Sequence, residues 1–72
     1  MRFERIDIDP RVCEGKARVR GTRMTVEFVL KLMGSGYSAN DIVREYPLLQ
    51  LDDVYECAAY SAWMVSEKTI TV

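Results

Sequence analysis

The chain has 72 residues, with ten Lys or Arg and eleven Asp or Glu, so its formal net charge is -1. A chain of this length forms one small domain that buries only roughly 60% of its unfolded surface, and its overall charge argues against strong non-specific binding of nucleic acid. It has no histidine and two cysteines, too few for a zinc site or a disulfide scaffold.

The charges are unevenly distributed along the chain. Residues 1–23 carry seven Lys or Arg and four Asp or Glu, net +3, whereas residues 24–72 carry three and seven, net -4. No apolar run approaches the roughly 20 residues that cross a bilayer, and no signal peptide is recognisable. We therefore expect a cytoplasmic protein with a basic front and an acidic back, and we expect no cofactor or metal.

The first predicted element is a short strand. In Phe3–Ile8 apolar and charged residues alternate, which places Ile6 and Ile8 on one face and Arg5 and Asp7 on the other. The pattern predicts a half-buried strand, and the Asp-Pro pair that follows it predicts a turn.

Four cations without an anion follow in residues 16–23, here named the basic arm: Lys16, Arg18, Arg20 and Arg23. In an extended chain, the first three point to one face, where they could contact phosphates or the carboxylates of a partner. The alternative is a solvated hairpin edge whose charges prevent aggregation.

Glycines and threonines set the geometry of this arm. Gly15 and Gly21 bracket the basic run at points where the chain can turn. Thr22 or Thr25 can cap the helix that the next apolar pattern requires.

Three helices are predicted in residues 24–66. The first runs from Thr25 to Met33, with core positions at a helical spacing, and ends at one of two glycines, Gly34 or Gly36. The second begins at Ser38, which forms a capping-box-like pair with the aspartate three residues later, and a proline ends it. The core positions predicted on these helices are Val26, Val29, Leu30, Met33, Ala39, Ile42, Val43 and Tyr46.

The third helix is predicted to begin near Asp52, with acidic residues at the positive end of its dipole. From Cys57 to Val65 it is apolar nearly all the way round, more than one small core can cover, so a second copy or another protein should cover part of it. The alternating tail 69–72 predicts a short strand. We predict a dimer or partner interface at Tyr60, Trp63, Met64, Ile70 and Val72.

The order Ile-x-x-x-Pro-x-x-Cys-x-Gly-Lys-x-x-Val-Arg-Gly-Thr-Arg-x-x-Val in residues 6–26 resembles the signature of a small prokaryotic family, domain of unknown function 433. The likeness continues in Gly-Tyr-Ser-Ala-Asn-Asp-Ile (36–42) and Glu-Tyr-Pro-Leu-Leu (45–49). Ala17 and Thr25 stand where many members have proline. The resemblance implies an antitoxin-like protein, related to VapB-type antitoxins, that neutralises a PIN-like ribonuclease toxin and also binds operator DNA.

Two other functions are weighed against this one. The second and third helices have the order of a helix-turn-helix, but the start of the third, residues 51–56, has net charge -3, the wrong sign for phosphates. One alternative is therefore a stand-alone DNA-binding regulator that acts through the basic arm. The other is a homodimeric interaction module with no nucleic-acid role. Catalysis is not expected, because no nucleophile–base pair is present.

The predicted fold is a single α+β domain, mostly α: a basic strand and arm (1–23), three helices in a helix-turn-helix-like arrangement (24–66) and a terminal strand (67–72).

Overall fold

A computed structural model describes residues 3–68 of the chain. Two short strands, β1 (Ile6–Asp7) and β2 (Arg18–Val19), precede three helices, α1 (Val26–Gly34), α2 (Ala39–Glu45) and α3 (Leu51–Lys68). A 3-10 turn at Cys13–Gly15 lies between the strands. The predicted mostly helical α+β fold is thus confirmed, with three helices beside a two-stranded sheet.

The strand β2 is paired along both of its edges. It runs antiparallel to β1, with Ile6 opposite Val19 and Asp7 opposite Arg18. On its other edge, the amide of Val19 donates to the carbonyl oxygen of Met24 at 2.8 Å, and a further bridge joins Arg18 to Thr25. The basic arm is therefore a hairpin that leads directly into α1.

The predicted N-terminal strand is longer than the observed one. Ile6 is buried, whereas Ile8 is 59% exposed and follows the end of β1. The alternation in the sequence extends to Ile8, but β2 supplies pairing partners only for Ile6 and Asp7. The prediction that Ile8 shares the buried face of Ile6 is therefore wrong.

The first two helices begin at the predicted caps. The hydroxyl of Thr25 accepts a hydrogen bond from the amide of Phe28 at 3.0 Å. Ser38 and Asp41 form a reciprocal capping box, with backbone-to-side-chain distances of 3.1 and 3.0 Å. These bonds satisfy amides that the first helical turn leaves without partners, and they fix both entry points.

Helix α1 ends in a left-handed glycine. Gly36 has a φ of 103°, and its amide donates to the carbonyl of Met33 while the amide of Tyr37 donates to that of Leu32. This pair of bonds is a Schellman motif, which favours glycine at the left-handed position.

One core holds the strands and the three helices together. Its buried apolar side chains come from both strands, all three α-helices and the loop before α3: Ile6, Val19, Val26, Val29, Ile42, Leu49, Val54 and Cys57. Leu30, Ala39, Val43 and Tyr46 pack against this core, as predicted. Met33, predicted as a core residue, is 36% exposed instead, because it lies in the last turn of α1, at the edge of the helix packing.

The third helix is longer than predicted. It continues through residues 67 and 68, two positions beyond the predicted end of the helical region. The predicted terminal strand at residues 69–72 otherwise lies outside the described part of the chain.

Candidate functional site

Two cations of the basic arm bind the same carboxylate within the chain. Arg18 Nε lies 2.7 Å from Asp7 Oδ1, and Arg20 Nη1 lies 3.4 Å from Asp7 Oδ2. Arg18 also donates to the carbonyl of Thr22 at 2.8 Å, and only 14% of its side chain is exposed. Its hydrogen bond to Asp7 raises the pKa of the guanidinium. Asp7 therefore already occupies a position that a phosphate or a partner carboxylate would otherwise take.

Lys16 makes its ion pair with α1. Its Nζ lies 3.3 Å from Glu27 Oε1, and Lys31 Nζ lies 3.6 Å from Glu27 Oε2. The hydrogen bond from Lys16, together with the two positive charges, lowers the pKa of Glu27. Two lysines thus share one carboxylate at the edge of α1. Lys16 therefore pairs with α1, whereas Arg18 pairs with β1.

Arg23 differs from the other cations of the arm. Within residues 3–66, where side chains are described, it is exposed and its guanidinium makes no ion pair. It follows the turn at Gly21, which has a φ of 79°. The Thr22 hydroxyl stabilises that turn by donating to the Val19 carbonyl at 2.8 Å and accepting from the Met24 amide at 2.9 Å. Thr22 therefore holds the hairpin, while Thr25 caps the helix.

The other glycine of the arm ends a left-handed turn. Cys13, Glu14 and Gly15 have consecutive φ values of 54°, 58° and 78°. A Cβ at Gly15 would also lie 3.7 Å from the Cα of Pro10. Glycine adopts such a φ without the strain that a Cβ would bring, so Gly15 sets the direction in which the arm leaves the turn.

The acidic start of α3 is held by Arg5. Asp53 is 8% exposed; its Oδ1 accepts from Arg5 Nη1 at 3.0 Å and its Oδ2 accepts from the Gln50 amide at 2.8 Å. Glu56 accepts from the Arg5 amide at 2.6 Å. Asp52 remains 70% exposed in its side chain. The sequence predicted these anions at the helix N-terminus but gave no indication of Arg5, which is 48 residues distant from Asp53.

An open apolar groove lies between α1 and α3. Its volume is about 610 Å³, and residues from both helices form its walls, including Leu30, Tyr60 and Met64. Lys16 and Lys31 lie at its rim together with Glu27 and Val65. Two of the five predicted interface residues, Tyr60 and Met64, therefore line one concave surface.

Trp63 contributes to an aromatic cluster beside the N-terminal segment. The ring centroid of Phe3 lies 5.3 Å from that of Tyr60, in an edge-to-face arrangement, and 5.7 Å from that of Trp63. These contacts cover part of the predicted interface within the same chain. The remaining two predicted interface residues, Ile70 and Val72, lie outside the described residues.

Cysteine and carboxylate side chains are possible metal ligands, and thiols are possible nucleophiles. Within residues 3–68, no three Cys, Asp or Glu side chains are grouped so that they could hold a metal ion. Burial raises the pKa of the Cys57 thiol to about 12, so the thiol is protonated at neutral pH. Cys13 is partly exposed, and its thiol donates to the Arg23 carbonyl at 3.4 Å. None of the helices in this part of the chain could span a membrane.

Comparison with known proteins gives a family and a structural relative. No curated protein matches the chain. The chain is similar to a solved structure described as the crystal structure of a DUF433 member protein from Anabaena variabilis ATCC 29413, at 2.00 Å resolution. The two share 28% sequence identity with a TM-score of 0.80, over 88% of this chain and 62% of that one. This chain thus corresponds to somewhat less than two thirds of the length of its relative.

The sequence model of the family described as "Protein of unknown function (DUF433)" matches residues 6–61. This match contains the strands, the basic arm, α1, α2 and the first half of α3. It covers most of the chain, and the protein therefore belongs to the DUF433 family.

Proposed function

We propose that this protein is an antitoxin-like binding protein, which neutralises a PIN-like ribonuclease by contacting it through the groove between α1 and α3. The observation that carries this proposal is the groove itself, which is open, has a volume of about 610 Å³ and has mainly apolar walls. Concave apolar surfaces with a few polar groups are typical binding sites. Exposed apolar surface on a small chain also favours a protein partner.

The charges at the rim suit a protein ligand. Lys16 and Lys31 share the single carboxylate of Glu27, which leaves a net charge of +1 beside the apolar walls. A PIN-like nuclease holds its metal with a cluster of carboxylates. A partner segment with an apolar side chain for the groove and a carboxylate for the lysines would match both features.

DNA binding remains a second candidate, and one observation favours it. Arg23 is exposed at the tip of the hairpin, and its guanidinium pairs with no carboxylate among residues 3–66, so it could donate to a phosphate without breaking an ion pair in that part of the chain. In this proposal α2, residues 46–50 and α3 act as a helix-turn-helix-like unit, and Arg23 contacts operator DNA. The exposed carboxylate of Asp52 at the start of α3 opposes a close approach of that helix to phosphates.

The experiment that tests the groove uses Met64→Lys and the control Ser66→Lys. Both add one cation to the last turns of α3, but Met64 lines the groove and Ser66 is exposed away from it. Tagged protein is used to isolate partners from the native host with nuclease treatment, and a captured ribonuclease is then assayed for inhibition by purified wild-type and variant protein.

We expect a ribonuclease to remain bound after the nuclease treatment, and we expect the wild type and Ser66→Lys to inhibit it. Met64→Lys should weaken the inhibition at least about tenfold, because a charge in an apolar contact costs more than about 1.4 kcal/mol. Equal inhibition by both variants would exclude the groove. A different result would support DNA binding in place of the antitoxin-like function. In that case nuclease treatment removes all partners, and Arg23→Glu abolishes DNA retention while Met64→Lys does not.

A further inference from the structure

Helix α3 carries a second apolar surface, which overlaps the groove only at Val65. Leu51, Tyr55, Ala58, Ala62 and Val65 follow one another at intervals of four, three, four and three residues. This spacing repeats every seven residues and keeps all five on one face, with a drift of about 40° over the two heptads. We name this set the α3 seam.

The α3 seam is exposed in the folded chain. Leu51 is 37% exposed, Tyr55 57% and Val65 64%, while Ala62 is exposed and Ala58 is partly so. The buried side of the same helix, which includes Val54 and Cys57, is also apolar and lies roughly a quarter turn away from the seam. The helix therefore has one apolar side for its own core and another that faces outward.

We propose that a second copy of this chain covers the α3 seam, with the two α3 helices packed antiparallel about a two-fold axis near Ala58. Residue sizes support this occupant and this direction. The two-fold axis places Ala58 opposite its counterpart, where two small side chains allow the helices to approach closely. It also places the large Tyr55 close to the small Ala62 of the other copy, and Leu51 opposite Val65.

A parallel arrangement would fit less well. It would place Tyr55 against Tyr55 at one level and Ala62 against Ala62 at another, leaving one layer crowded and the next poorly filled. The charges on α3 also favour the antiparallel arrangement. The exposed Asp52 and the acidic first turn of α3 would meet their counterparts in a parallel pair, whereas the antiparallel pair separates them and aligns the helix dipoles favourably.

The inference does not depend on the ribonuclease, and the seam shares only Val65 with the groove. Met64 lies on the groove side of α3, so Met64→Lys should dimerise like the wild type while it fails to bind a partner. A dimer without any ribonuclease inhibition would refute the proposed function alone, whereas a ribonuclease inhibitor that is monomeric would refute the seam alone.

Sedimentation equilibrium over a concentration series tests the seam, with Ala62→Glu as the disrupting variant and Asn40→Glu as its control. Both substitutions add one anion at an exposed helical position, but Asn40 is on α2. We expect the wild type and Asn40→Glu to dimerise, and Ala62→Glu to raise the dissociation constant at least about tenfold because it places two buried carboxylates in the seam. Circular dichroism checks that the variants are folded. If Ala62→Glu does not fold, Tyr55→Lys replaces it, since that side chain is mostly exposed in the folded chain.

Disulfide trapping tests the direction, in a Cys13→Ser background. In the antiparallel pair two copies of residue 51 lie about 21 Å apart along the axis, too far for a disulfide. Leu51→Cys alone should therefore not cross-link, whereas a mixture of Leu51→Cys and Val65→Cys should yield the mixed dimer. A monomeric wild type, a dimer that survives Ala62→Glu, or efficient cross-linking of Leu51→Cys to itself would each overturn the proposal.

Discussion

Alanine substitutions at Ile6 and Ile8 test whether burial follows the observed strand or the alternation of apolar and charged residues in the sequence. Ile6 is 6% exposed and Ile8 59%, so Ile6→Ala and Ile8→Ala make the same chemical change at a buried and at an exposed position. If the alternation governed burial, both substitutions would be equally damaging. In the structure, only the first opens a cavity.

The size of the expected effect follows from the side chain removed. Three buried carbons at about 0.8 kcal/mol each give about 2.4 kcal/mol for transfer alone, and the residual cavity raises the cost of Ile6→Ala to about 2–4 kcal/mol. Because a chain of this size is stable by only about 4–11 kcal/mol, this is a large fraction of the total. Ile8→Ala should change the free energy of unfolding by less than about 0.5 kcal/mol.

Thermal and urea unfolding, followed by circular dichroism, measure this difference. Each kcal/mol corresponds to a shift of about 4–8 °C in Tm for a domain of this size, so Ile6→Ala should unfold at least about 6 °C below Ile8→Ala. All samples need one protein concentration, because dimerisation would add to the stability. Equal losses in the two variants would refute the assignment of Ile8 to the surface.

Three further predictions concern helix caps and titrating groups. Thr25→Ala should destabilise the protein by about 1 kcal/mol, because the amide of Phe28 loses its partner, and urea unfolding with Thr25→Ser as the conservative control measures it. The bonds from Ser38 lower the pKa of Asp41, so the capping box stabilises the fold above the unfolded pKa near 4 and loses this contribution as the pH falls; Asp41→Asn should flatten the stability profile between pH 5 and pH 2, and an unchanged profile would contradict the role of the box. Burial raises the pKa of Cys57 from 9.0 to about 12, so the folded state holds a proton that the unfolded state loses, and stability should fall between pH 9 and pH 12 more steeply in the wild type than in Cys57→Ala.

The sequence predicted the elements whose signals are local. Thr25 and the Ser38–Asp41 pair lie within three residues of the amides that they cap, so a short window contains all the information. The apolar spacing of α1 and α2 likewise identified Val29 and Ile42 as core residues. These interactions are decided within one or two helical turns.

Interactions between distant segments could not be predicted in the same way. The alternating basic arm indicated that Arg18 and Arg20 share a face, but not that Asp7 of β1 would lie opposite them. Arg5 was assigned only to the outer face of a strand, whereas it pairs with Asp53 at the start of α3. Local periodicity describes one element at a time, and these partners are brought together only by the packing of the whole domain.

The position of Arg20 has a consequence for self-association through the sheet. Beyond its ion pair, its Nε donates to the carbonyl of Glu4 at 2.7 Å and its Nη2 to that of Ile6 at 3.3 Å. Backbone carbonyls at the end of a small sheet are the groups with which a foreign strand would pair, and edges left open in this way promote aggregation and amyloid formation. Met24–Val26 covers the far edge of β2, and the Arg20 side chain occupies these carbonyls on the β1 side. Replacing Arg20 should therefore make concentrated or partly unfolded protein prone to precipitate.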